Sequence, residues 1–172
     1  MKLKVGLLGG GSWGTTVASL TAKNVPTIIW ARNPITVKEI NEQHTNEKYL
    51  PNAKLTPALV ASNSIKETVE EADVIVMGVP SQSLRKVLEE ARPYIRPWVP
   101  IINLAKGLEI STKMRMTEII EELMPGHPIG VLTGPNLAKE IHFGKAAAAV
   151  IAMVDNSIAK RLQSVFSSGL FR

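Results

Sequence analysis

Gly9, Gly10, Gly11, Ser12, Trp13 and Gly14 satisfy the spacing G-x-G-x-x-G, between a short apolar run, Leu3 to Leu8, and small and apolar residues from Thr15 to Lys23. A strand that feeds a helix through such a turn can fold sharply at Gly9, bring bare backbone against a pyrophosphate at Gly11, and pack helix closely on strand at Gly14. The helix start adds unpaired N–H groups and positive potential for an anion. A Walker A loop would need a Gly-Lys-Ser/Thr triplet in register, and none follows these glycines.

The next apolar run, Thr27 to Ala31, begins after Pro26 and ends without the acid that commonly binds the adenine ribose. Arg32 stands there instead, 18 residues past Gly14. A guanidinium can stack on adenine and pair with a 2′-phosphate, so the expected cofactor is NAD or NADP, with NADPH allowed. Lys106-Gly107 directly follows a predicted strand at Ile101 to Leu104, which puts an ammonium at the carboxyl edge of the sheet. The run Thr133 to Glu140 reads as a strand ending in Gly134-Pro135 and a helix with Asn136 as N-cap, whose free amides could hold a phosphate or carbonyl oxygen. His44, His127 and His142 are isolated from one another in sequence and lack metal-ligand spacing, so no metal is assigned.

The elements that must position these residues alternate in type. Ile65 to Ala72 reads as a helix with Ser64 and Glu67 in capping-box spacing, and Val74 to Val79 as a buried strand. Pro80 and Ser81 open a helix whose Leu84, Val87, Leu88 and Ala91 share a face. Met116, Ile119, Ile120 and Leu123 mark another helix, ended by Pro125-Gly126 before an apolar run around Gly130 to Leu132. A further apolar segment, 146–154, precedes Asp155, which caps a helix carrying Ile158, Leu162, Val165 and Phe166. Because each parallel crossover usually contains a helix, the expected fold is α/β, a Rossmann-like doubly wound, mainly parallel sheet with helices on both faces. Its ligand belongs at the carboxyl ends of the strands.

With 172 residues, 45% hydrophobic and 20% charged, the chain has the size and composition of one globular domain. It has no cysteine, which excludes disulfides, thiolate zinc sites, iron–sulfur sites and thiol nucleophiles, and fits a reducing cytosol. The net charge of +5 comes from scattered basic residues rather than a nucleic-acid-binding stripe, and suits the attraction of small anions. No apolar leader precedes the glycine turn and nowhere do 18 apolar residues run uninterrupted, so a cytoplasmic protein without a membrane span is expected.

Five motifs occur in register. They are Gly9-Gly-Gly-Ser-Trp-Gly-Thr15, Asn46-Glu-Lys-Tyr49-Leu-Pro51, Val79-Pro80-Ser81, Lys106-Gly-Leu-Glu109, and Gly134-Pro-Asn136-x-Ala138-x-Glu140. In this order and spacing the chain resembles the NAD(P)-dependent glycerol-3-phosphate dehydrogenases, the bacterial form above all. The resemblance implies reversible hydride transfer between a nicotinamide cofactor and C2 of sn-glycerol 3-phosphate, interconverting it with dihydroxyacetone phosphate for phospholipid synthesis. It implies cofactor contacts at the glycine turn (Gly9, Gly10, Gly11, Gly14), Ser12, Trp13, Arg32 and Ala138, with Tyr49 and Ser83 near the same cleft. Lys106 would lie against both cofactor and substrate, and Gly134 and Asn136 in the substrate site. Asn136 stands where many bacterial members carry Ser or Thr.

Family members are about twice this long, so residues 1–172 are expected to be the dinucleotide-binding domain, with a helical substrate domain and the proton-donating lysine lying beyond. No catalytic residue is therefore assigned within the chain. The complete protein is expected to be a homodimer, and the isolated domain to bind dinucleotide, turn over negligibly and self-associate or be marginally stable through an apolar face. A non-catalytic NAD(P)-sensing module, or a related ketopantoate or hydroxy-acid reductase, would share the glycine loop. The Lys106 and Gly134 motifs fit the phosphate-handling family better.

Overall fold

A computed structural model describes residues 3–172. Its core is one seven-stranded sheet in the order β3-β2-β1-β4-β5-β6-β7. The strands are β1 (Val5–Leu8), β2 (Thr27–Trp30), β3 (Leu59–Ser62), β4 (Val74–Met77), β5 (Ile101–Asn103), β6 (Ile129–Thr133) and β7 (Val150–Met153). All neighbours pair in parallel except β6 and β7, which are antiparallel. The connecting helices are α1 (Ser12–Thr21), α2 (Pro34–Gln43), α3 (Ile65–Val69), α4 (Ser81–Ala91), α5 (Met116–Leu123), α6 (Ala138–His142) and α7 (Asn156–Phe166).

The strand period of two assigns the side chains to two cores. Leu7, Val76 and Ile102 point to one face, where they meet Val17 and Ala18 of α1, Ile40 of α2 and Leu162, Val165 and Phe166 of α7. Leu8, Ile75, Met77 and Ile101 point to the other, against Ile65 and Val69 of α3, Leu84 and Leu88 of α4, and Ile119 and Ile120 of α5. The central strands are buried on both faces, which is why they read as continuous apolar runs.

The doubly wound α/β expectation holds, with differences of detail. α1 begins at Ser12, three residues before the expected start, so the helix rises directly out of the glycine turn. α2 and β3 do not stand out as apolar runs. α2 exposes most of its surface and buries only Thr36 and Ile40, and β3 is an edge strand whose Val60 faces out. Asn33 caps α2 by accepting a hydrogen bond from the Ile35 amide at 2.9 Å. The apolar segment 146–154 contributes only β7, because Ala147 and Ala149 instead bond to the chain's last residues, Leu170 and Arg172. Asp155 caps α7 through the amides of Ser157 and Ile158.

Leu7 is fully buried in β1, with its Cδ2 beneath both Gly14 and Gly78. Leu7→Ala should therefore lower unfolding free energy by about 2–5 kcal/mol in urea titrations.

Candidate functional site

β1 and β4 are neighbours whose connections leave in opposite directions along the sheet, so a crevice opens between their carboxyl ends. Two close backbone approaches form its floor. Gly9, at φ +131°, lies so near Gly78 that a Cβ on it would stand 2.5 Å from the Gly78 carbonyl carbon. A Cβ on Gly14 would collide with the Gly9 carbonyl oxygen. Gly11 differs, because a Cβ there would meet no protein atom within 4 Å. Its space lies open above the first turn of α1, whose N-cap is Gly11 itself and carries no side-chain hydrogen bond. The uncapped amides of that turn suit an anion, and a Cβ at Gly11 would occupy the approach to them.

Two cavities meet over this floor. The larger, of about 850 Å³, is lined by Gly9, Gly10, Gly11, Ser12, Trp13, Arg32, Tyr49, Ser83 and Lys106 among others. The smaller, of about 250 Å³, is lined by Trp13, Leu104, Lys106, Leu132, Thr133, Gly134 and Asn136. Trp13, Leu104 and Lys106 belong to both. No Asp or Glu lines either cavity, whereas Arg32, Lys48 and Lys106 line the larger one, so the whole surface favours an anion.

Lys106 spans the junction by donating from Nζ to the Gly134 carbonyl at 2.9 Å. Gly107 follows at φ +102°, a backbone conformation that favours glycine. Asn136 is not the N-cap expected from its position. Leu137 takes that place in extended backbone and α6 starts at Ala138. The Asn136 amide is instead buried beside Gly134 with neither Oδ1 nor Nδ2 hydrogen-bonded. Buried polar atoms are seldom left unpaired, and both polar atoms of this amide stand so in the wall of the smaller cavity.

Two of the expected contacts stand apart from the cavities. Gly14 lies beneath the floor and acts through packing. Ala138 lines neither cavity and sits behind α1, with its carbonyl 3.4 Å from the Thr16 hydroxyl. Among the described residues no three His, Asp or Glu side chains gather as a metal site. His44 is a left-handed C-cap of α2, and the His127 Nδ1 lies 2.9 Å from the Val99 carbonyl. Among the described residues no helix is long and apolar enough to cross a membrane.

Sequence reasoning missed two supports. Gly78 is the partner that makes Gly9 obligatory, and its signal is the glycine directly after the apolar run of β4. Asn46 is fully buried and donates from Nδ2 to the Gly10 carbonyl at 3.0 Å and to Thr15 Oγ1 at 2.9 Å. Ser12 Oγ donates to the Tyr49 carbonyl at 2.8 Å. The segment Asn46 to Leu50 is thus fastened to the glycine turn from both sides.

The family model for the NAD-dependent glycerol-3-phosphate dehydrogenase N-terminus matches residues 4–159. The chain belongs to that family. It is 60% identical over its whole length to glycerol-3-phosphate dehydrogenase [NAD(P)+] 2 of Sphingopyxis alaskensis, of which it covers 52%. It is 52% identical over 98% of its length to glycerol-3-phosphate dehydrogenase [NAD(P)+] 1 of Mycobacterium tuberculosis, covering 50% of that protein. A crystal structure of glycerol-3-phosphate dehydrogenase from Coxiella burnetii superposes with a TM-score of 0.91 at 28% identity, over 99% of this chain and 53% of that one. The chain therefore spans about half the length of the dehydrogenases it matches.

The two glycines should separate by phenotype. Gly14→Ala is expected to destabilise the domain by about 1–3 kcal/mol or more, because backbone must move. Gly11→Ala should melt within a degree or two of the parent, roughly the effect of a small surface change, yet lose NADPH binding by calorimetry.

Proposed function

We propose that this chain is the dinucleotide-binding part of an NAD(P)-dependent sn-glycerol-3-phosphate dehydrogenase that interconverts dihydroxyacetone phosphate and glycerol 3-phosphate for phospholipid synthesis. The observation that carries the proposal is the Lys106 ammonium at the junction of a dinucleotide-sized cleft and a smaller pocket walled by Trp13, Leu132, Gly134 and Asn136, with no carboxylate lining either. The glycine turn and the first-turn amides of α1 would hold the pyrophosphate, and Ser12, Trp13, Tyr49 and Ser83 would line its path. Arg32 would take the ribose end, where a 2′-phosphate pairs with a guanidinium. When bound, the reduced nicotinamide supplies hydride.

Lys106, Gly134 and Asn136 would hold the phosphorylated substrate. The ammonium offsets negative charge on the substrate as its carbonyl becomes an alkoxide, and the unpaired Asn136 amide offers both a donor and an acceptor. The required proton is assigned, from the family resemblance, to a lysine of the complete protein outside this chain, while Lys106, held by its hydrogen bond to the Gly134 carbonyl, serves as a charge anchor. The same reading takes residues 1–172 as one domain of a cytoplasmic homodimer whose partners are small molecules rather than nucleic acid. The lack of cysteine and the scattered basic residues agree with it.

Fused to the C-terminal half of the Sphingopyxis relative, the chain should oxidise NADPH when dihydroxyacetone phosphate is added, followed at the nicotinamide absorbance. Absence of turnover in a folded chimera, while the relative's own complete enzyme is active, would defeat the assignment. Lys106→Met should lower kcat/KM by about 10²-fold or more, as loss of a single charge-stabilising donor does. Arg32→Ala should raise KM for NADPH by roughly 10-fold and leave that for NADH nearly unchanged, consistent with one charge-assisted hydrogen bond.

A further inference from the structure

Lys106 stands near the start of the long connection between β5 and α5, and such a connection needs fastening if that residue is to hold a fixed place. On the near side Asn103 folds back on the chain, donating from Nδ2 to the Ala105 carbonyl at 2.8 Å and accepting from the Ala105 amide at 3.0 Å. On the far side Gly107 turns the chain and Glu109 closes it, with the Glu109 amide on the Met114 carbonyl at 2.9 Å and the Lys113 amide on the Glu109 carbonyl at 2.8 Å.

This closed loop is held to α4 by side chains. The Gln82 amide donates to the Leu108 carbonyl at 2.8 Å and accepts from the Ile110 amide at 3.0 Å. One turn along, Arg85 makes a two-pronged bond to Glu109, Nε to Oε1 at 2.9 Å and Nη2 to Oε2 at 3.1 Å. The same guanidinium reaches Glu122 of α5, with Nη1 to Oε1 at 2.7 Å. The Glu109 residue is 8% exposed. Its hydrogen bonds from Arg85 and then from the Thr112 hydroxyl hold its carboxyl below the usual range. Among the described residues Arg85 is the one cation that bridges these two carboxylates, and removing it leaves like charges facing each other across the loop.

We propose that Arg85 is a positioning residue for Lys106: it locks the Gly107–Thr112 loop onto α4 and α5 and so fixes where the ammonium stands at the junction of the two cavities. The function of that placement rests on the dehydrogenase reading above, whereas the placement itself does not. The first turn of α4 also supplies Ser81 and Ser83 to the larger cavity, so the same helix sets one wall of the cleft and the anchor of the lysine loop.

The test is carbon-detected NMR of lysine side chains in the 172-residue chain, with the Lys106 Cε signal assigned by its loss in Lys106→Met. In Arg85→Met, the Lys106 signal should move toward the position of a freely mobile lysine and lose its shift on NADPH addition, while the Gly9 to Gly14 amides still respond. Arg85→Lys, which cannot fork to both carboxylates, should restore the signal only in part. An unchanged Lys106 signal in a folded Arg85→Met chain would overturn the proposal, since a merely structural ion pair would lower the melting temperature without moving a side chain it does not touch. If Arg85→Met does not fold, Glu109→Gln keeps the shape and one acceptor and should displace the same signal less; no displacement there would also count against it. A parent chain whose glycine-turn amides ignore NADPH would defeat the cofactor reading instead, and the Lys106 comparison without NADPH would still decide the role of Arg85.

Discussion

Backbone meets backbone where the carboxyl ends of β1 and β4 converge on the start of α1, and the rest of the cleft depends on that contact. Gly9, Gly14 and Gly78 lie so close together that a side chain at Gly9 or Gly14 would displace main-chain atoms of a neighbour. The gain is position: α1 is drawn down onto the sheet with its first amides uncapped at the crevice, and Leu7 fills the space below. A helix held a few ångströms higher would still pack, but its amides would no longer bear on an anion lying across the strand ends.

Around this contact, side chains do what the sheet alone cannot. Asn46 pins the glycine turn from one side by reaching the Gly10 carbonyl and Thr15, and Ser12 ties down the Tyr49 segment. Arg85 and Gln82 hold the lysine loop from the other. Both fastenings are polar, and the Asn46 amide and the Glu109 carboxylate are well buried. Losing one partner therefore leaves an unpaired group as well as a missing bond, which makes the geometry of the cleft resistant to small displacements.

Much of this was legible in sequence, and the limits have physical causes. The central strands are visible because burial on both faces requires uninterrupted apolar runs, and the glycine turn because G-x-G-x-x-G has a steric meaning between a strand and a helix. The edge elements α2 and β3 are half-solvated and carry too little hydrophobic contrast to be seen. The Asn136 reading failed because capping preference is a local rule, whereas the cavity beside Gly134 took the amide into its wall. Gly78, Asn46 and Arg85 act through contacts tens of residues away along the chain, and a single sequence does not reveal such pairings. Arg32 and Lys106 are legible as cations at the carboxyl ends of predicted strands, while the joining of their cavities and the absence of any carboxylate from the lining emerge only from the fold.

The central claim is that this glycine-floored, cation-lined cleft accepts an anionic dinucleotide in the domain as it stands. Isothermal titration calorimetry of the 172-residue chain with NADPH, repeated at low and high salt, tests it most directly. Saturable one-to-one heat that weakens as salt rises is the expected result, because the phosphates are held by fixed positive potential. No heat at either salt concentration, from a chain shown by circular dichroism to be folded, would contradict the claim.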